Sequence, residues 1–456
     1  LYVNLMINLQ ISNSLTKSKD LFKPINPKKV GMYVCGPTVY ADPHVGNGRS
    51  LVVFDLLFRV LIQLYGKENV TYVRNITDVD DKIIEASKQK NTSIDKITTQ
   101  VTNNFHQNTK DLNCLTPSIE PKATEHIKDM IEMTNALIKK KLAYLNEGHV
   151  YFLISNFKTY GKLSNKNLDE LQAGSRVEVS KLKKNPLDFI LWKPALNDEP
   201  GWDSPWGRGR PGWHLECSVM SEKYLGKKFD IHGGGLDLLF PHHENEIAQS
   251  CSNNSSDNLA NYWVHNGFLT MKREKMSKSL GNIETISDVL KRYNGQVIRL
   301  ALLSAHYKQP LDWNENLLEQ SKKTLEKWYE LYDEKQTKIE NTQTFSILLD
   351  DLNTPKYFAK LHELFSLAIK GDKNKKNEFN EACRLIGIFN ENKETLEKRK
   401  KASAKVDENF ILEQIEARIQ ARKSGNYKLA DKIRDDLLKN GIIIEDKQNK
   451  TEWKYK

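Results

Sequence analysis

The sequence predicts an α/β protein built on an open parallel sheet, followed by a helical bundle and a small mixed α/β end. Three observations carry that expectation. The first hundred residues alternate strand-like and helix-like patterns, which is how a parallel sheet with crossover helices reads. From about residue 313 to 405 the pattern is charged and helical throughout. The last 50 residues give two helices and then apolar strand material.

Taken in order, KVGMYVCGPTVY (29–40) reads as a buried strand running into a Gly-Pro turn. SLVVFDLLFRVLIQLYG (50–66) is a strong helix pattern closed by Gly66. NVTYVRNIT (69–77) alternates as a strand, and DVDDKIIEASKQ opens a helix with acidic residues in its first turn. Residues 93–145 read as largely helical. HVYFLI (149–154) and DFILWK (188–193) are short strands inside a polar insertion. Residues 193–212 are too rich in Pro and Gly for regular structure. Their tryptophan-bearing turns, with Trp213 just beyond, predict an ordered lid. WHLECSVMSEKYLG (213–226) is a helix, KFDIHGGG (228–235) a strand ending in glycines, HHENEIAQSC a helix and YWVHNGFLTM (262–271) a strand. The run ENKETLEKRKKASAK from residue 391 reads as a solvated linker.

A chain of 456 residues holds several domains and a large core. Lys and Arg outnumber Asp and Glu by 69 to 59, a formal +10 that tilts the partner toward a polyanion. The five cysteines (Cys35, Cys114, Cys217, Cys251, Cys383) are too scattered for a disulfide framework, so a reducing cytoplasm is expected. The opening LYVNLMINLQIS lacks a basic start and a small-residue cleavage site, and Met6 is a candidate start. No apolar run approaches membrane-spanning length.

Three motifs bear chemistry. In PHVGNGRS (43–50), His44 and Asn47 flank Gly46 before a long helix, an arrangement that suits a nucleotide phosphate, although loop residues before helices are more often mere caps. In KMSKS (275–279), Lys275 and Lys278 sit in a loop able to close over phosphates; the bland alternative is a solvated basic loop. In DLLFPHHENEIAQS (237–250), His242 and Glu246 are four apart and share one helical face, while His243 and Glu244 are expected to point elsewhere. With the thiols of Cys35 and Cys217 this pair offers two sulfurs, a nitrogen and an oxygen, a reasonable zinc set drawn from separated segments. A lone Cys is more often a core residue, and an i,i+4 His/Glu pair is often a surface pair.

The first two motifs, in this order on an α/β pattern, resemble the HIGH and KMSKS signatures of class I aminoacyl-tRNA synthetases. MYVCGPTVY, YVRNITDVDDKII, SPWGRGRPGWHLECSVM, FDIHGGGLDLLFPHHENEIAQS and KMSKSLGN resemble the cysteinyl-tRNA synthetase family, and the resemblance runs from about residue 9 to the C-terminus. It implies a class I Rossmann-like core over 1–312, with a connective insertion at about 115–205 and a KMSKS and stem-contact region at about 270–312. A tRNA-contacting bundle follows over 313–405, and an anticodon-binding domain over 406–456. It implies one Zn2+ per chain on Cys35, Cys217, His242 and Glu246, with Mg2+ accompanying ATP. Cysteine and serine differ by S for O, and an apolar pocket separates isosteres poorly. A metal that binds thiolate strongly supplies the discrimination.

The resemblance also implies that Thr77 and Trp213 line the amino-acid pocket; the bland reading of Trp213 is a packing anchor. His232, Gly233 and Gly234 approach the adenylate, Asp237 meets a ribose or amino group, and His44, Gly46, Asn47 and Lys278 hold ATP. The family's second HIGH histidine is Asn47 here, which keeps a neutral donor but cannot become a cation. At the C-terminal end Arg422, Tyr427 and Asp431, spaced four to five residues apart near one face, offer a stacker and both hydrogen-bond polarities for single-stranded bases. The bland reading is a charged helix face. The implied partners are tRNA(Cys), L-cysteine and ATP, with no membrane, and nothing demands more than a monomer. Two rivals are a ligase joining cysteine to an amino sugar and a non-catalytic, zinc-dependent RNA-binding relic.

Overall fold

The computed structural model describes residues 8–165, 181–271, 274–275, 283–334, 343–392, 394, 395, 398, 406–447 and 450–455. They fall into two compact units, Leu1–Leu331 with Gln336–Ile388, and Tyr332–Lys335 with Phe389–Lys456.

The first unit opens with a hairpin of β1 (Gln10–Asn13) and β2 (Ser18–Leu21). Strand β3 (Val30–Val34) is buried along its whole length. Helix α1 (Val45–Tyr65) then crosses to β4 (Val70–Arg74), which pairs with β3 in parallel. Val52, Val53, Phe54, Leu56, Leu57, Val60 and Leu61 bury the apolar side of α1, and Gly66, at φ +86°, stops it. The helix starts five residues before the apolar run, because His44 and Asn47 cap it reciprocally. Helices α2 (Asp81–Lys90), α3 (Ile94–Asp111) and α4 (Ile127–Lys139) follow.

The insertion is a four-stranded antiparallel sheet of β5 (Ala143–Asn146), β6 (His149–Phe152), β7 (Phe189–Pro194) and β8 (Gly209–Pro211). Strand β8 corrects the expectation of irregular structure across 193–212. Its backbone pairs with β7, and at Gly209 a Cβ would lie 2.4 Å from both the Lys193 carbonyl and the Trp192 indole nitrogen. Helix α5 (Trp213–Leu225), strand β9 (Phe229–Gly235), helix α6 (Glu244–Asn254) and strand β10 (Ala260–Asn266) complete the α/β core.

The parallel sheet runs β10-β9-β3-β4. Strand order reverses between β3 and β9, and the crevice beyond their C-terminal ends is where open α/β sheets bind ligands. The expected single strand over 262–271 is two strands. The chain turns at Gly267, and β11 (Leu269–Met271) joins a separate sheet with β12 (Glu274–Lys275) and β13 (Leu311–Asp312). Beyond α7 (Ile286–Leu290) and α8 (Gly295–Leu302), the bundle comprises α9 (Glu315–Trp328), α10 (Gln343–Ser346), α11 (Thr354–Ile369) and α12 (Lys373–Leu385).

In the second unit, α13 (Glu408–Lys423) and α14 (Tyr427–Lys439) pack Ile411, Ile415, Ile433 and Leu437 against Ile442 and Ile444 of β14 (Ile442–Lys447). Strand β15 (Lys450–Tyr455) closes the hairpin. Of the expected linker, residues 393, 396, 397 and 399–405 lie outside the described residues.

Candidate functional site

A cleft of about 390 Å³ opens at the switch point, lined among others by Cys35, His44, Gly46, Asn47, Trp213 and Asp237. Cys35 directly follows β3, and Cys217 lies in the second turn of α5. His242 sits in the turn before α6, and Glu246 in the first turn of that helix. The ligating atoms of these four residues all lie within 4.8 Å of one another. Cys35 Sγ is 3.4 Å from Glu246 Oε1, and His242 Nε2 is 3.0 Å from the same oxygen. That His242–Glu246 approach lacks hydrogen-bond geometry, so Nε2, although buried, has no hydrogen-bond partner among the described residues. Its other nitrogen, Nδ1, is engaged with His214 Nδ1 at 2.9 Å.

Charge in this cluster is arranged for a cation. Burial alone would raise the Glu246 carboxyl, but His232 and His242 hold it down at about 2. Burial would lower His242, and Glu246 above all carries it up to about 10. Burial pushes the Cys35 thiol well up, aided by Cys217. The Cys217 thiol resists its own burial because Cys35 and His242 stand beside it, and falls to about 6. Two sulfurs, an imidazole and a carboxylate around an unpaired buried nitrogen fit a zinc ion.

The structure brings in more histidines than helical spacing allows. His243 Nε2 lies 3.4 Å from Cys35 Sγ, and its Nδ1 lies 2.8 Å from His265 Nε2. This corrects the expectation that His243 points elsewhere. Leu239–His243 is a wide turn interrupted at Phe240 (φ −140°, ψ 134°), and regular α-helix begins only at Glu244. Glu244 does turn away, accepting from the backbone N–H groups of Gly161 and Ser164, each at 2.9 Å. Cys35, His232, His243 and Glu246 form a second donor grouping that shares two members with the first.

His232 is not a wall of the cleft. It is fully buried, its Nε2 is 2.8 Å from Glu246 Oε2, and its ring stacks on Trp263. The reason expected for two glycines also changes. A Cβ on Gly233 would stand 2.2 Å from the Phe54 ring, and one on Gly234 would stand 2.9 Å from the His243 ring. Packing of neighbouring side chains therefore requires both glycines. Gly235 and Asp237 do line the cleft.

His44 is the N-cap of α1. Its Nδ1 accepts from the Asn47 N–H at 3.3 Å, and the Asn47 side-chain oxygen accepts from the His44 N–H at 3.1 Å. Accepting at Nδ1 makes His44 a neutral imidazole protonated on Nε2. The turn is pinned to residues 284–286 by Val45 N–H to Glu284 O and Ile286 N–H to Pro43 O. Lys275 lies on β12, opposite Thr270 on β11, and Lys278 lies outside the described residues.

The buried Thr77 hydroxyl donates to Glu216 Oε2 at 2.7 Å and accepts from Asn75 Nδ2 at 3.2 Å. Trp213 is 38% exposed and stacks on His242. His214, Glu216 and His265 were not singled out by the sequence, and His243 was expected to point away. Only their nearness to Cys217 in the chain could have flagged His214 and Glu216.

Arg422, Tyr427 and Asp431 do not share one helical face. Arg422 lies in the last turn of α13, the helix breaks just beyond it, and Tyr427 and Asp431 belong to α14, whose N-cap is Asn426. Arg422 Nη1 donates to Asp446 at 2.6 Å, while Tyr427 is 65% exposed.

A parallel α/β core with a crevice at its switch point and a capped helix turn beside it is the arrangement in which open α/β sheets bind ligands. Residues 21–323 match the family described as tRNA synthetases class I (C) catalytic domain. The fold aligns with the methionyl-tRNA synthetase of Mycobacterium tuberculosis in complex with methionyl-adenylate at a TM-score of 0.54 and 13% identity, covering 79% of this chain and 89% of that one. The chain is 57% identical over 447 residues to the Cysteine--tRNA ligase of Pelagibacter ubique (strain HTCC1062), spanning 98% of this chain and 99% of the relative. It is 48% identical over 454 residues to that of Rickettsia prowazekii (strain Madrid E), spanning 97% and 98%. The chain belongs to the cysteine–tRNA ligase family of class I synthetases. Among the described residues no helix is long and apolar enough to cross a membrane.

Proposed function

We propose that the cleft selects L-cysteine by its thiol on a zinc ion, activates it with Mg-ATP, and passes it to the 3′-terminal ribose of tRNA(Cys). The observation that carries this reading is the convergence of Cys35, which lines the cleft, with the buried Cys217, His242 and Glu246. Zinc held there supplies a Lewis-acid position that favours a thiolate over a serine hydroxyl. The rest falls to this chain's own residues. Trp213 bounds the pocket over His242, and Thr77 braces it through Glu216.

The amino acid's carboxylate attacks the α-phosphorus of ATP, forming a P–O bond as the bond to pyrophosphate breaks. The positive N-terminal end of α1 and the His44 Nε2–H face the phosphates, and Asn47 contributes through its cap. Asn47 serves that cap without ever being a cation. Lys275 and Lys278 offset the charge on the departing pyrophosphate. A ribose hydroxyl of the tRNA then attacks the adenylate carbonyl, releasing AMP. No side chain need form a covalent intermediate; orientation and electrostatics lower the barrier.

In the same reading residues 1–312 are catalytic, 313–405 meet the tRNA, and 406–456 meet its anticodon, with Tyr427 as the exposed stacker and Asp431 as an acceptor. Arg422 joins them only by leaving Asp446. The chain works as a monomer in the cytoplasm, where its five cysteines stay free. The full-length match, which includes the C-terminal 50 residues, favours tRNA over an amino sugar as acceptor. Amino-acid-dependent ATP–pyrophosphate exchange tests the reading. Exchange with cysteine but not serine, abolished by chelation and restored by zinc, is expected. No exchange in the zinc-loaded protein would refute it and leave the RNA-binding relic as the better account.

A further inference from the structure

Five arginines are buried among the described residues, and four of them face carboxylates. Arg74 meets Glu120, Arg210 meets Asp81 and Glu199, Arg299 meets Asp55, and Arg418 meets Asp446. Arg49 differs. It is fully buried, and among the described residues it donates only to backbone carbonyls, with Nη1 to Gly267 (3.1 Å) and Phe268 (2.7 Å) and Nη2 to His306 (3.2 Å) and Gln309 (2.5 Å). Its Nε has no partner among the described residues. A buried cation without an anion is costly, and carbonyl dipoles offset only part of that cost. Burial lowers its pKa to about 10, which leaves the guanidinium charged at neutral pH.

Its position gives that cost a purpose. Arg49 lies one turn beyond Gly46 on α1, the helix whose first turn forms one wall of the cleft, and the next residue, Ser50, also lines it. Gly267 and Phe268 line the same cleft. They join β10 to β11, and β11 pairs with the strand carrying Lys275. His306 and Gln309 lead into β13, the other neighbour of β11. One guanidinium thus ties the phosphate-side turn to the base of the sheet that leads into the KMSKS loop.

We propose that Arg49 is a positioning residue for ATP: it sets the width of the nucleotide cleft from beneath and leaves a positive charge for the polyphosphate to answer. This rests on the reading of the cleft as the ATP site. It implies that loss of Arg49 weakens ATP selectively and leaves the zinc end of the cleft intact.

The test measures KM for ATP, KM for cysteine and kcat of exchange in zinc-loaded wild type, Arg49→Lys and Arg49→Gln, with direct ATP titration of each. The glutamine variant is expected to raise the ATP KM and dissociation constant by about tenfold, with the cysteine KM within about twofold; lysine, which keeps the charge and fewer of the bonds, recovers part of the loss. Folded variants with ATP constants unchanged, or with cysteine affected as much as ATP, would overturn the proposal. Should Arg49→Gln fail to fold, Gly267→Ala asks the same question with the arginine in place. Its Cβ would stand 2.6 Å from the Lys308 carbonyl, forcing the loop away from the guanidinium, and the same ATP-selective loss is expected. Absence of exchange in wild type would refute the enzyme reading alone, because the ATP titrations would still decide the role of Arg49.

Discussion

The indole of Trp213 stacks on the imidazole of His242, with ring centroids 4.2 Å apart and 29° between the planes. One residue thereby bounds the cleft and steadies a candidate metal ligand whose Nδ1 is already held by His214. Fixing the partner of one ring nitrogen orients the other, which is how surrounding groups tune a metal-binding histidine.

The Trp213–His242 stack predicts that Trp213→Ala raises the cysteine KM by about tenfold, a loss of roughly 1–1.5 kcal/mol for an aromatic pair. The ATP KM should move little, and Trp213→Phe should recover much of the loss. Steady-state exchange with each substrate varied in turn checks this; equal effects on both substrates would count against it.

Thr77 donates to a carboxyl that burial pushes well above the usual range, next to Cys217. Removing the hydroxyl leaves Glu216 Oε2 without its donor, so Thr77→Val should cost about 1–3 kcal/mol in denaturant stability. Thr77→Ser keeps the donor and should cost much less. Similar losses in the two variants would mean that the methyl group, and not the bond, matters.

Gly233 is required by the Phe54 ring. Gly233→Ala should therefore destabilise the fold by about 1–3 kcal/mol through overpacking. Adding Phe54→Leu should return part of that stability. Failure of the second substitution to help would restore the older expectation that a ligand needs the open backbone.

Much of this architecture was legible in the sequence, and the misses have physical causes. Cys35, Cys217, His242 and Glu246 could be grouped by their donor types and by the resemblance of their motifs to one family; strand order alone does not place Cys217, which lies on α5 ahead of β9. The i,i+4 rule placed His242 over Glu246 but failed for His243, because the turn from Leu239 to His243 departs from α geometry before the helix proper begins. Strand β8 was hidden by glycine and proline, which mark loops unless a neighbouring strand offers pairing, as β7 does. Arg422, Tyr427 and Asp431 looked like one face because the break in SGN (424–426) went unread: Gly425, at φ +76°, and Asn426, the N-cap of α14, separate the two helices. Arg49 carried no signal at all, since its partners are backbone oxygens more than 200 residues away.

Asp446 accepts from Arg418 at both oxygens and from Arg422, and the Arg418 bonds hold its carboxyl well below the ordinary 3.8. A carboxyl depressed on folding stabilises above its unfolded pKa, so this contribution is full above about pH 4 and disappears as pH falls through the lower, folded value. Amide exchange of α13 and α14, corrected for intrinsic rates, should show acid weakening in wild type that is blunted in Asp446→Asn. Identical acid profiles would contradict that assignment.

The central claim is that the substrate is chosen by its sulfur on a metal held by Cys35, Cys217, His242 and Glu246. Replacing zinc with cobalt(II) makes thiolate coordination visible as a ligand-to-metal absorption band. The account predicts that L-cysteine intensifies this band in the cobalt-loaded protein and that L-serine leaves it unchanged, with Cys217→Ser losing both bound metal and response. A spectrum indifferent to cysteine, or one that serine changes equally, would contradict it.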